Sequence, residues 1–434
     1  MVWSRHAWGL VVLLMLATSA SGATEPNRPG NYVSRQEYEA LQREVEDLRA
    51  RLTQQEKATA AQEQARQETE RLNQEVATAR RIAEGSGLGD TKLLITGSAA
   101  AGYFDPEGQS STFTVEFNPM LLWQLNERLF FEGELELSLS GPDVNGEGAE
   151  TEAELDLAYL AYLLNDYVLL GAGKFSVPFT AYHNHLDPSW INKLPFDPLV
   201  YGDGGVAPDT DIGVFATGAV PCRRALFTYA AWLTNGPALI TENPESAGSL
   251  NFDNFNDLNN SKALGFRIAW LPFPELEVGY SFEFSKPSPP GFETVRSTLH
   301  GVDLNYVARL AAIKGQLTGR GAWVWSNLGD ATYDPTGALG FGPLRFDNDR
   351  NGGYAELAYR PTDAPQRLLR NFEFALRYDR LDIPAEAPGG GTQELLTPGI
   401  DYWITPRTVL KAAYAFDTTG DDADVFALQF ATGF

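Results

Sequence analysis

The chain has 434 residues, with 57 acidic against 33 basic side chains, a net charge of −24 and a single cysteine, Cys222. So acidic a balance argues against nucleic acid as a partner, and a lone cysteine excludes a fold stapled by intramolecular disulfides.

In chain order the first element is a leader. Arg5 and His6 precede the apolar run GLVVLLMLATSA at 9–20, and small residues follow. A basic start, a short apolar stretch and a small-residue cleavage site read as a secretory signal peptide over 1–23. The run is too short for a membrane-spanning helix, which needs about 20 residues, and every later apolar run is interrupted.

The next segment, 31–84, is expected to be a periplasmic coiled-coil helix. Tyr38, Leu41, Val45, Leu48 and Leu52 step by three and four. Polar Gln55, Thr59 and Gln62 interrupt the seam before Leu72, Val76, Ala79 and Ala83 resume it. Between Arg35 and Glu84 there are 9 basic and 11 acidic residues, so nearly all the net charge lies further on. The Gly-rich run after Glu84 ends the helix and makes 85–91 a linker.

From residue 92 the period changes to two. In LFFEGELELSL, 129–139, apolar residues alternate with Glu132, Glu134 and Glu136. This is a strand with one apolar and one acidic face. Alternation of this kind predicts strands at 92–104, 112–124, 129–139, 151–163, 167–177, 211–220, 225–235 and 262–271. It continues at 275–286, 296–308, 312–325, 352–361, 371–381, 394–405, 408–418 and 424–434, sixteen in all. Short and long connections alternate, and aromatics gather near strand ends, among them Trp123, Tyr167, Trp270, Phe104, Phe113 and Phe175. Sorted loops and two aromatic girdles predict an all-β transmembrane barrel over 92–434, sixteen-stranded and antiparallel.

The closing strand DVFALQFATGF, ending in Phe434, resembles the terminal strand that the assembly machinery reads in Gram-negative outer-membrane porins. GKFSVPF, 173–179, resembles the phosphate-selective porin superfamily, whose members often carry an N-terminal coiled coil. The resemblance implies a water-filled channel in the outer membrane, with lipid and lipopolysaccharide around it and no cofactor. It further implies a homotrimer whose N-terminal coils meet in the periplasm near peptidoglycan. It also implies that the longest connection, 178–210, folds inward as a constriction loop presenting Asp187, Lys193, Asp197, Asp203 and Asp209. Members of that superfamily line the pore with cations. The acidic strands here depart from that pattern, so phosphate selectivity is not carried over.

The residues assigned to the pore lining are Glu132, Glu134, Glu136, Glu152, Glu154 and Asp156 on one side. Lys174, Arg267, Lys314, Arg320, Arg360, Arg377 and Lys411 are basic candidates on other strands. An acidic wall attracts cations over about a Debye length, ~8 Å at physiological salt.

Catalytic and metal signals are weak. His183 and His185 form an i, i+2 pair without a further cluster. GAGK at 171–174 lacks phosphate-loop spacing. DNDRNG at 347–352 opens like a calcium loop but has Ala358 where the bidentate glutamate belongs. Neither a catalytic set nor a metal site is assigned, and the chain is not expected to be an enzyme. The alternatives are a barrel enzyme, or an envelope tether that uses the coil and loops.

Overall fold

The computed structural model describes residues 91–434 apart from 140–150, 203, 244, 253–256, 258, 293, 335, 338–339, 341 and 421–423. The leader, the coil and the linker lie outside the described residues, save Thr91.

Alternating sequence becomes alternating structure. The strands are β1 (Lys92–Pro106), β2 (Thr112–Gln124), β3 (Leu129–Leu139), β4 (Thr151–Asn165), β5 (Val168–Ser176), β6 (Thr210–Cys222) and β7 (Ala225–Thr234). A two-stranded sheet, β8 (Ala238–Leu239) with β9 (Leu250–Asn251), stands apart within one long connection. Then follow β10 (Ala263–Phe273), β11 (Leu276–Ser285), β12 (Ser297–Leu310), β13 (Gly315–Leu328) and β14 (Asn348–Arg360). The last are β15 (Phe372–Ile383), β16 (Gly391–Thr405), β17 (Thr408–Asp417) and β18 (Val425–Gly433). Each pairs antiparallel with the next, β7 with β10, and β1 closes on β18, giving one sixteen-stranded barrel without an edge. Closure satisfies every ladder, which is what lets strands lie in hydrocarbon. At the seam Ser98 stands opposite Gly433 and Phe104 opposite Ala427.

The two faces differ sharply. Phe113, Leu137, Leu264, Ile268, Leu357, Phe374, Leu410 and Phe430 are exposed on the outside. Their sequence neighbours Arg267, Glu356, Glu373, Lys411 and Gln429 are buried on the inside. Water would penalise such a belt by about 25 cal/mol per Å², and hydrocarbon removes that penalty. Not every aromatic assigned to the girdles belongs to it. Phe104 packs inward with its ring 5.8 Å from Phe196, and Phe175 turns in to lie 4.6 Å from Phe215.

Part of the interior is filled by the chain itself. The connection after β5 enters the barrel, forms the one-turn helix α1 (Ala181–His185), and buries Phe179, Tyr182, Leu186, Val200, Tyr201 and Val206. These pack with inward residues of the wall, including Trp232, Leu299, Val324 and Tyr354. Gly301 makes room for Phe179, because a Cβ there would lie 2.7 Å from its ring.

Candidate functional site: the lumen and its inward loop

Besides its buried apolar side chains, the inward segment is held through its main chain. Lys411 Nζ donates to the carbonyl oxygens of Asn192 (2.8 Å) and Leu194 (3.4 Å). Arg377 donates to the carbonyls of Phe196 (2.9 Å) and Asp197 (3.1 Å), and Arg320 to that of Ile191 (3.3 Å). Lys193 pairs with Glu373 at 2.9 Å and lies over the Trp403 ring. Gly399 and Gly433 give Leu194 and Trp190 their seats, since a Cβ at either would fall 2.4 or 2.6 Å from those side chains. Within the segment, Tyr182 donates to Asp197 at 2.6 Å and stacks on Tyr201 at 4.4 Å.

Packed against β7 and β12–β18, the segment leaves the β2–β5 side open. A cavity of about 560 Å³ remains there. The wall contributes Glu116, Glu132, Glu134, Glu136 and Asp156; the segment contributes Asp187, Asp197 and Asp209. No lysine or arginine lines it among the described residues. Tyr159 donates to Glu132 at 2.5 Å. Confinement within the protein comes first, then the charges of Asp197, Asp209, Asp156 and Glu136. Together they push the carboxyl of Asp187 well above its ordinary range, although its side chain still meets the cavity.

The inward face of β4 changes parity at a β-bulge. Glu134 opposes Leu157 whereas Leu135 opposes Leu155, so Asp156 is an extra residue on β4. Beyond it Leu157 and Tyr159 turn inward, and the parity read from Glu152 and Glu154 no longer applies. Before the bulge Glu154 stands opposite Glu136 and shares its inward face, where it is ion-paired to Lys174 at 2.8 Å; neither it nor Glu152 borders the cavity.

The basic positions need correction as a group. Arg320, Arg377 and Lys411 point inward but are covered by the segment whose carbonyls they hold, so they do not oppose the acids across open water. Arg267 is closed off by Asp303 (2.6 Å) and Glu277 (2.9 Å). Lys174 is buried in register with Ala158 and Ile212, away from the cavity lining. Lys314 is not on a strand: it sits in the left-handed conformation (φ 50°) after a 3₁₀ turn over Ala311–Ile313, exposed in a short connection. Arg360 ends β14 at the same rim. Asp203 lies outside the described residues.

His183 Nδ1 is 3.5 Å from Asp209 and His185 Nε2 is 3.8 Å from Glu277, so the pair diverges to different partners. Asn348, Asp349 and Arg350 of the calcium-like run lie in β14, where Asn348 donates to the carbonyl of Gly248. Glu116 escaped the reading of the sequence. Its signal was there, for Phe113, Val115 and Phe117 are exposed and the even positions of β2 must face in.

No protein-family model matches this chain, and no curated protein matches it. Among solved structures, OmpF of Salmonella typhi in complex with daunomycin overlays with a TM-score of 0.51 at 13% identity, covering 80% of this chain and 98% of that one. The barrel has the fold of an outer-membrane porin. At that identity the likeness extends to the fold alone. OprB of Pseudomonas putida, at 8% identity and TM-score 0.49, covers 79% of this chain and 94% of its own. The anion-selective porin of Comamonas acidovorans, at 13% and 0.47, covers 79% and 100%. These last two overlays are looser and carry no weight here.

Proposed function

We propose that the chain forms a water-filled outer-membrane channel for passive diffusion of ions and small hydrophilic solutes, biased toward cations. The observation that carries this is the combination of an edgeless, outwardly apolar wall with an interior cavity lined, among the described residues, by eight carboxylates and no lysine or arginine. In a narrow low-dielectric passage such charges raise the local cation concentration and repel anions. The segment 178–210 acts as the constriction, with Asp187, Asp197 and Asp209 at its edge. No catalytic role is assigned to the lumen. Phosphate selectivity of the resembling superfamily does not suit this charge.

The assembly is proposed to be a homotrimer in contact with lipid and lipopolysaccharide. Its N-terminal coils, 31–84, would meet on the periplasmic side near peptidoglycan. Phe434 is proposed as the recognition residue for barrel insertion. The deciding experiment is the reversal potential of the purified protein in planar bilayers under a salt gradient. A cation-directed potential with stepwise conductance supports the reading; absence of any conductance overturns it.

A further inference from the structure

The short-turn end of this acidic chain is basic. Arg128, Arg223, Arg224 and Arg407 occupy three tight turns, and the longest turn, 361–371, adds Arg367 and Arg370. Arg360, Thr362, Arg367, Arg370 and Asn371 line a small cavity at this end. The acid of the same turn does not neutralise it, because Asp363 is taken by Arg309, with Nε 3.2 Å from Oδ2 and a second bond from Nη2 to Oδ1. Arg360 is fixed in place: its Nε donates to the carbonyl of Arg370 at 2.9 Å, and its guanidinium lies 5.1 Å from the Trp403 ring. No ion pair engages Arg367 or Arg370 among the described residues.

A second observation concerns what lies between those arginines. Leu368 and Leu369 are 60% and 45% exposed, in and beside the 3₁₀ turn Leu369–Asn371. Two bare leucines flanked by two bare arginines are poorly suited to water alone. They suit the boundary where acyl chains meet phosphates. We propose that this turn binds the headgroup phosphate of an anionic phospholipid, with Leu368 and Leu369 against its acyl chains. The arginine fork supplies paired N–H donors to phosphate oxygens. This rests on the barrel being embedded in a membrane.

The test uses the full-length protein in mild detergent, with phosphatidylglycerol, phosphatidylcholine or inorganic phosphate as probes. Lipid retention is read by native mass spectrometry and phosphate binding by phosphorus NMR. Phosphatidylglycerol should be retained in preference to phosphatidylcholine. R367Q/R370Q should weaken that retention about 30-fold while conductance and the folded gel band persist. L368S/L369S should weaken lipid retention and leave any phosphate binding unchanged. Unaltered retention in R367Q/R370Q overturns the proposal. Inorganic phosphate binding as tightly as the lipid overturns the lipid as its source. Loss of conductance in the wild type would overturn the channel reading while leaving the lipid result to be judged separately.

Discussion

Lys411 Nζ donates to the carbonyl oxygen of Asn192 at 2.8 Å, joining the penultimate strand of the wall to a segment 219 residues earlier. Lys411→Met would leave the carbonyls of Asn192 and Leu194 without this donor, at a cost of about 1–3 kcal/mol for each buried group left unsatisfied. The segment should loosen, so single-channel conductance and its noise should both rise and the gel-shift temperature should fall. Unchanged conductance would mean that Arg320 and Arg377 suffice to hold the segment.

The acid cluster sets the second expectation. Replacing Glu132, Glu134, Glu136 with Gln and Asp156 with Asn removes four of the cavity's carboxyl groups, and the reversal potential should move toward anions. The same exchange at Glu152 and Glu154 should move it much less, because Glu154 is paired with Lys174 and neither lines the cavity. Equal effects of the two sets would contradict the neutralisation of Glu154 by Lys174.

Protonation of Asp187 should be visible in the pH dependence. Its carboxyl is raised in the folded protein, so the folded state takes up the proton before the unfolded chain does. Stability should therefore rise as pH falls from neutral to the ordinary carboxylate range, and cation preference should fall over the same interval. Asp187→Asn should reduce both changes in that window. A pH profile identical to wild type would show that the proton goes elsewhere.

The last residue extends the seam between β1 and β18. Phe434 N–H donates to the carbonyl of Gly97 at 3.1 Å, Thr96 donates to the carbonyl of Phe434 at 2.6 Å, and the ring stacks 5.7 Å from Phe117. Deleting Phe434 removes these seam bonds and an aromatic pair worth about 0.5–1.5 kcal/mol. The heat-modifiable folded band in outer-membrane fractions should diminish strongly; a normal band would argue against a role in insertion.

Assembly is tested by native mass spectrometry of the full chain in mild detergent, which should show trimers. Deleting 31–84 should leave a trimeric, conducting barrel. The isolated peptide 31–90 should be largely monomeric, because its polar middle positions weaken the zipper without the raised local concentration of a trimer. A monomeric full-length protein would overturn the trimer.

The wall was legible in the sequence and the lumen only partly so. Strand spans followed from alternation because a lipid-facing strand must keep its period, and each of the sixteen segments corresponds to a strand. Alternation fails where a single extra residue enters, and nothing local marks Asp156 as that residue. The roles of Arg320, Arg377 and Lys411 were hidden for another reason. A charge facing inward looks the same in sequence whether it meets water or a carbonyl brought from far along the chain. Lys314 was misplaced by two or three residues, because a short left-handed turn needs no glycine or proline to announce it.

Because the fastening uses carbonyl oxygens and buried apolar side chains, it does not depend on the carboxylates that the segment presents to the cavity. Where the segment sits and what it presents are thus largely separate variables. Exchanging Asp187 or Asp209 can retune passage without unseating the constriction, whereas exchanging Lys411 or Arg377 changes position without touching its chemistry. A pore arranged this way can be given a new preference one side chain at a time, with the seat of its filter preserved.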